Sequence, residues 1–327
     1  MIRFLTTRVS ESLIVLLIMS FVIYGLIRLM PGDPIDEMIS ANPLLTSEDV
    51  ARLKALHGLD KPLMERYGNW LWAAVHGDFG FSRIHAKPAV DVLLPHLSNT
   101  LVLMTAAVVL SLLIALPLGV YAAVKPNSVL DYTINMFCFA GISVPPFWLA
   151  LLSIILFAVL LGWLPAGGME TVGTSETGWS GWADRLKHII LPVGVLTLHS
   201  VGGYTRFVRA SMIQVLRQDF IRTARAKGVG PTRLLMGHAL RNAILPFITV
   251  VALSFGSLFS GALITETMFS WLGVGKMIYD SVLGNDFNLA LVGLLFATLM
   301  TLVGNIMADV AYAWADPRIS TRRGLET

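Results

Sequence analysis

Cysteine occurs once in the 327 residues, at Cys138, which rules out an internal disulfide and any Cys-cluster metal site. Charge is scarce as well: 14% of residues are Asp, Glu, Lys or Arg, against 55% hydrophobic. With a mean hydropathy of +0.70, that balance excludes an ordinary soluble domain, where about a quarter of residues are charged. No low-complexity tract or internal repeat divides the chain, and residues 1–327 read as one domain. The apolar stretches also lack paired acids, His-x-x-x-His spacing and any Ser/Lys constellation. No catalytic residue and no metal site is expected, and the chain reads as a non-enzyme.

What is present is apolar sequence in long runs. A spanning helix needs about 20 mostly apolar residues, and six stretches qualify: 12–29, 99–123, 133–161, 189–208, 245–266 and 289–314. The first follows Arg3 and Arg8 as a signal peptide would. It continues to Leu29, however, and "RLMPGDP" contains no small-x-small cleavage site, so it reads as an anchored helix. Six spans place both termini on one side. If that side is the cytoplasm, the N-terminus, 124–131, 206–244 and the C-terminus hold 2, 1, 8 and 3 basic residues. The opposite short loops, 162–188 and 267–288, hold only Arg185, Lys187 and Lys276. Loop 30–98 is too long to count toward this bias. The chain is therefore read as a multi-pass protein of a lipid bilayer with both termini cytoplasmic, 30–98 outside and 206–244 inside.

The eight basic residues run from Arg206 to Arg241, with Asp219 the one acid among them. Topology accounts for part of this, because cytoplasmic loops are basic and lie near anionic lipid. No aromatic residues interleave with the arginines to stack bases, so nucleic acid is not the expected partner. The loop also has punctuation. Asp219 is expected to cap a short helix, 220–227, and Gly228 to end it in the left-handed conformation. Gly230 and Pro231 read as cap and first turn of a second helix to Ala243, with Pro246 marking where the fifth span begins. Arg222 and Arg225 are neighbours at i, i+3, while Ala224 and Ala226 keep other positions low enough for a second surface to approach. This is the pattern of a docking knob.

The stretch "DFIRTARAKGVGPTRLLMGHALRNAILP" resembles the cytoplasmic loop of ABC-importer permeases. In that family an "EAA" motif, with Gly three residues later, forms a coupling helix seated on the ATPase. Here the triplet is Arg222-Thr223-Ala224, with Arg225, Ala226 and Lys227 before Gly228. The replaced Glu and Ala, and the later Leu245-Pro246, are similar to the peptide/nickel branch. "PGDP", "GLDKPL…RYGNWLW" and "GDFGFS" resemble the long first loop of its B-type permeases. "SVPPFWLALL", "HIILPVGVLTL" and "ITETMFSWLGVG" resemble its later spans, with Leu272 where Pro is expected. The resemblance covers nearly the whole chain. It implies an all-α, six-helix, type I importer permease in a bacterial inner membrane, forming half of a path for short peptides or related solutes. It further implies a second, non-identical permease, two ATPases that carry ATP and Mg, and an extracytoplasmic solute-binding protein. Relatives of this kind also carry nickel chelates, glutathione or glycosides.

Other residues carry weaker signals. "GVGK" at 273–276 hints at a phosphate loop, but Ser270 and Met277 break G-x-x-x-x-G-K-[ST] at both ends. The chain has no nucleotide site of its own. Pro145-Pro146 interrupts the third span just after Ser143, freeing carbonyls that must face protein or a cavity. That makes Ser143, Pro145 and Pro146 candidates for lining the path. His199 lies mid-span, as a transport contact or as a hydrogen bond between helices. Glu266, near the outer end of the fifth span, is either a path residue or an interface anchor. Ser257 and Gly261, at i, i+4, suit close helix packing at the centre. In the outer loop, Thr46 with Asp49 reads as a capping box before a helix at 48–57, and a second helix is expected from Leu63 to His76. Trp70 and Trp72 are expected at the membrane interface.

A self-sufficient carrier or intramembrane enzyme is the competing class. It would show paired intramembrane carboxylates or inverted repeats. Within the spans only Asp309, Glu266 and His199 are ionisable in the required sense, which favours the importer subunit.

Overall fold

The computed structural model describes residues 2–29, 48, 49, 52, 61–173 and 178–315, with side chains for all of these except 2–4, 254–261 and 312–315. Helix α1 (Ile2–Arg28) is followed in the first long loop by α2 (Leu63–Val75). A two-residue hairpin comes next, β1 (Phe81–Ser82) antiparallel to β2 (Lys87–Pro88). Then come α3 (Ala89–Val124), α4 (Val129–Ser143) and α5 (Pro146–Ser153), the last continuing as π turns over Ile154–Leu160. Helix α6 (Trp179–Leu216) leads to the short α7 (Asp219–Ala226) and α8 (Pro231–Arg233). A π-helical stretch, Leu234–Leu240, joins α8 to α9 (Arg241–Met268), and α10 (Val274–Leu283) and α11 (Phe287–Ala315) complete the fold.

Five helices are long and apolar enough to cross a membrane, and α4 with α5 makes a sixth when that bent pair counts as one span. Counting that pair, the six apolar runs fall on six candidate spans among the described residues, with two corrections. The helices extend past the apolar windows: 99–123 becomes Ala89–Val124, and 189–208 becomes Trp179–Leu216. Hydropathy registers only the lipid-embedded part, and the polar turns beyond it continue the same hydrogen-bond ladder. The third crossing is not straight, because α4 and α5 meet at 98°.

Pro246 does not mark a helix start. It lies inside α9, flanked by the buried Ala243 and Phe247, where packing on neighbours tolerates the missing N–H. Beyond Glu48, Asp49 and Arg52, which are helical, the expected helix at 48–57 and Thr46 lie outside the described residues. The expected helix at Leu63 is present. Its Trp70 ring lies 5.7 Å from that of Tyr24 and 6.1 Å from that of Tyr67, while Trp72 is 71% exposed. Only Trp72 is therefore free to sit at a membrane interface, because Trp70 packs onto α1.

Helices α3, α6 and α9 form the centre. At one end Ala89, Val92 and Leu93 of α3 pack on Val274 and Ile278 of α10 and Leu289 of α11. At the other end Ala115 and Ala123 of α3 join Tyr204, Val208 and Met212 of α6, Ile221 and Ala224 of α7, and Phe247 of α9. With 36 residues at 1.5 Å each, α3 is about 54 Å long and links these two ends. Outer faces such as Leu13, Ile14, Leu17 and Ile18 of α1 are exposed and apolar, as contact with hydrocarbon requires.

Candidate functional site

The expected docking knob is a compact helix held on one face. In α7, Ile221 is 1% and Ala224 9% exposed, both packed into the cluster shared with α3, α6 and α9. Arg222, Thr223, Arg225, Ala226, Lys227 and Gly228 are exposed. Ala224 therefore anchors the knob, and of the two small residues only Ala226 lies on the approachable side. Asp219 is not the cap, because Gln218 holds that position and Asp219 is the first helical residue. Its carboxylate accepts instead from Arg222 Nη1 at 3.4 Å, and it remains favourable at the positive end of the helix.

The end of α7 matches expectation. Gly228 has φ +78°. Its N–H donates to the Arg225 carbonyl at 3.0 Å, and that of Val229 to the Ala224 carbonyl at 3.2 Å. This pair of bonds is the Schellman closure, which uses a left-handed residue. Gly230 then caps α8 with Pro231 first, and Leu234 N donates back to the Gly230 carbonyl at 2.9 Å. Beside the knob, Val124, Leu216, Arg225, Val229 and Leu234 line a recess of about 360 Å³.

A charge clamp not singled out in the sequence ties the broken third crossing to α6. The Asp131 carboxylate accepts from Arg209 Nε and Nη2, each at 2.6 Å, from Asn127 N at 2.9 Å and from Asn135 Nδ2 at 2.7 Å. Asp131 is 2% exposed. Ser128 caps α4 by accepting from Asp131 N, so Ser128-x-x-Asp131 was a readable capping pattern. Further along, an added Cβ on Gly202 would lie 2.5 Å from the Cys138 carbonyl oxygen, so α4 and α6 touch backbone to backbone. Removing Asp131 alone leaves Arg209 without its partner, whereas removing both charges leaves neither stranded. Asp131→Ala is expected to lower the melting temperature of the detergent-purified subunit more than Asp131→Ala with Arg209→Gln. Equal losses would show that the pair is not clamping.

The candidate path residues separate into three groups. Ser143 and Pro145 are exposed and Pro146 half-buried at the bend, where Val144 N donates to the Ala140 carbonyl at 3.3 Å. Neither proline supplies the N–H that the Gly141 and Ile142 carbonyls would take in a continuous helix. His199 is exposed on α6. Ser257 and Gly261 fall in α9, and their side chains lie outside the described residues. Glu266 departs from a path role. It is fully buried, with Oε1 accepting from Thr100 Oγ1 at 2.6 Å and Oε2 from Lys276 N at 3.1 Å. Thr100 Oγ1 accepts in turn from Val274 N at 2.8 Å. Glu266 thus fastens α3 and the start of α10 onto α9. Asp309 is likewise engaged, paired with Arg8 Nε of α1 at 2.9 Å. Among the described residues no three His, Cys, Asp or Glu side chains converge as a metal site.

Comparison with known proteins adds to this geometry. Residues 115–321 match the model for binding-protein-dependent transport system inner membrane components, and residues 1–103 match that for the N-terminal part of such membrane components. The chain is 37% identical over 320 residues to the oligopeptide transport system permease protein AppB of Bacillus subtilis, covering 98% of this chain and 99% of AppB. It is 34% identical over 342 residues to the di/tripeptide transport system permease protein DppB of Pseudomonas aeruginosa, covering 99% and 100%. Among solved structures it is similar to the inward-facing MetNI methionine ABC transporter, with TM-score 0.49, 16% identity, and coverage of 67% of this chain and 96% of that chain.

Proposed function

The chain belongs to the inner-membrane components of binding-protein-dependent transport systems, and on that premise we propose that it forms one half of an import path for short peptides. The observation that carries the peptide reading is the end-to-end similarity to two peptide permeases, AppB and DppB. The geometry of α7 supports the mechanism. Its exposed residues, Arg222, Thr223, Arg225, Ala226, Lys227 and Gly228, form the docking surface for a separate ATPase subunit, which binds and hydrolyses ATP with Mg. Its buried face rests on the same cluster as α3, α6 and α9, so a push on the knob is passed into the spans as rigid-body movement. The second permease is a related, non-identical chain, two ATPases sit below the pair, and a solute-binding protein docks outside.

Two experiments test this. Reconstituted alone, the chain is expected to give no ATP-dependent peptide uptake, and uptake is expected to appear only with the second permease, the ATPases and the binding protein. Transport by the lone chain, or by a homodimer with ATPases, would defeat the proposal. The orientation has its own test in intact cells. Thr232→Cys is expected to be protected from an impermeant thiol reagent, while Val172→Cys, at a position 98% exposed in the loop assigned outside, is labelled. The reverse pattern would invert the topology.

A further inference from the structure

One uncovered face of the bundle differs in kind from the rest. The exposed positions of α3 include Val102, Val109 and Leu113, the composition that lipid selects. Along the inner half of α6 the uncovered positions include His199, Gly203, Arg206, Ala210 and Gln214, spaced to share one helical face. None of these five carries a large apolar side chain, although Leu198 borders the stripe at its outer end. The opposite face, with Tyr204, Val208 and Met212, is committed to the core. His199 within the apolar window and Arg206 at its inner edge are costly against hydrocarbon, so the stripe that runs from them to Gln214 belongs beside water or a polar partner.

Arg206 gives the stripe a chemistry. Its guanidinium lies 4.3 Å from the centroid of the Phe139 ring, and it forms no ion pair among the described residues. Arg209, three residues on, is by contrast neutralised in the Asp131 clamp. An aromatic face steadies a cation without cancelling its charge, so Arg206 keeps donors available for an incoming anion. No acid lies on the stripe. We propose that this face of α6 lines the inner half of the translocation path and that Arg206 receives a carboxylate of the passing solute. The inference rests on the import reading above and deepens it.

Thiol reactivity in the assembled complex reads the stripe directly. In a Cys138→Ala background, Gly203→Cys and Ala210→Cys are introduced; an added Cβ at Gly203 meets nothing within 4 Å. The probes are two methanethiosulfonates, one bearing a sulfonate and one a trimethylammonium. Both are expected to react at the two positions from the cytoplasmic side, with rates that change when an ATP-bound state is trapped. At Gly203→Cys the anionic probe should be favoured by about fivefold over its intrinsic ratio, the effect of one nearby charge in a wet site. That preference should vanish in Arg206→Gln and persist in Arg206→Lys. Inert cysteines in every nucleotide state would overturn the wall assignment, and a charge preference unchanged by Arg206→Gln would overturn the anion role. Peptide uptake by the unmodified complex, measured in parallel, tests the import reading separately, because labelling reports only where the stripe lies.

Discussion

Glu266→Ala is expected to cost several kcal/mol, because it strands two buried donors at about 1–3 kcal/mol each. The carboxylate is 0% exposed and accepts from the Thr100 hydroxyl and the Lys276 N–H. Alanine would strand both donors and open a void between α3, α9 and α10. Glu266→Gln keeps the volume but presents an amide N–H to one of two groups that are already donors. Thr100 Oγ1 can accept from the amide with its second lone pair while holding Val274 N, but its own hydroxyl hydrogen then loses its acceptor. The glutamine variant should therefore fall between wild type and alanine. Thermal melting of the detergent-purified complex checks the order. A Glu266→Ala protein as stable as wild type would mean that this carboxylate is not engaged inside the chain and would restore it as a path residue.

The second large effect is on coupling. Gly228→Val should abolish most ATP-driven transport while leaving the subunit inserted and folded. The position has φ +78°, with nothing within 4 Å of an added Cβ, so the penalty is backbone strain and not a clash. Left-handed backbone costs roughly 1–2 kcal/mol for residues with a Cβ, and a β-branched side chain suffers more. The cheapest relief is to give up the bonds from Gly228 N and Val229 N to the end of α7, which unseats the docking surface. Asparagine tolerates this conformation, so Gly228→Asn should retain substantial transport. ATPase stimulation and co-purification of the ATPase with each variant provide the readout. Wild-type transport by Gly228→Val would remove α7 from the coupling role.

How much was legible follows from how local each cause is. Gly228, Gly230 and Pro231 could be placed because their conformational needs are carried by the residues themselves. The interruption at Pro145-Pro146 was readable for the same reason, whereas its 98° angle depends on how α5 packs on Leu191 and Val195 of α6. Capping was harder: pattern favoured Asp219, a strong cap type, yet Gln218 holds the cap and Asp219 begins the helix. Glu266 was left between path residue and interface anchor because its partner Thr100 lies 166 residues away. Asp131 had a local sign in Ser128-x-x-Asp131, but Arg209, 78 residues on, had registered only as one more cytoplasmic positive charge. The polar stripe on α6 escaped because it is defined by what the other helices leave uncovered.

The bend in the third crossing bears on how the protein is made. Helix α4 has 15 residues, about 22 Å at 1.5 Å per residue, while the hydrocarbon layer is about 30 Å thick. Val129–Ser143 alone is too short to cross, and α5 with its π turns departs from it at nearly a right angle. A ribosome delivering this segment to the insertion machinery would hand over two half-length pieces, neither of which is an autonomous membrane anchor. The surfaces that hold them lie largely on α6, Gly202 and Arg209 for α4 and Leu191 and Val195 for α5, with Phe269 just after α9 in the same cluster as α5, and all are synthesised later. The third crossing thus acquires its final position only after the fourth has emerged, and truncation after residue 173 should leave a segment that fails to integrate stably.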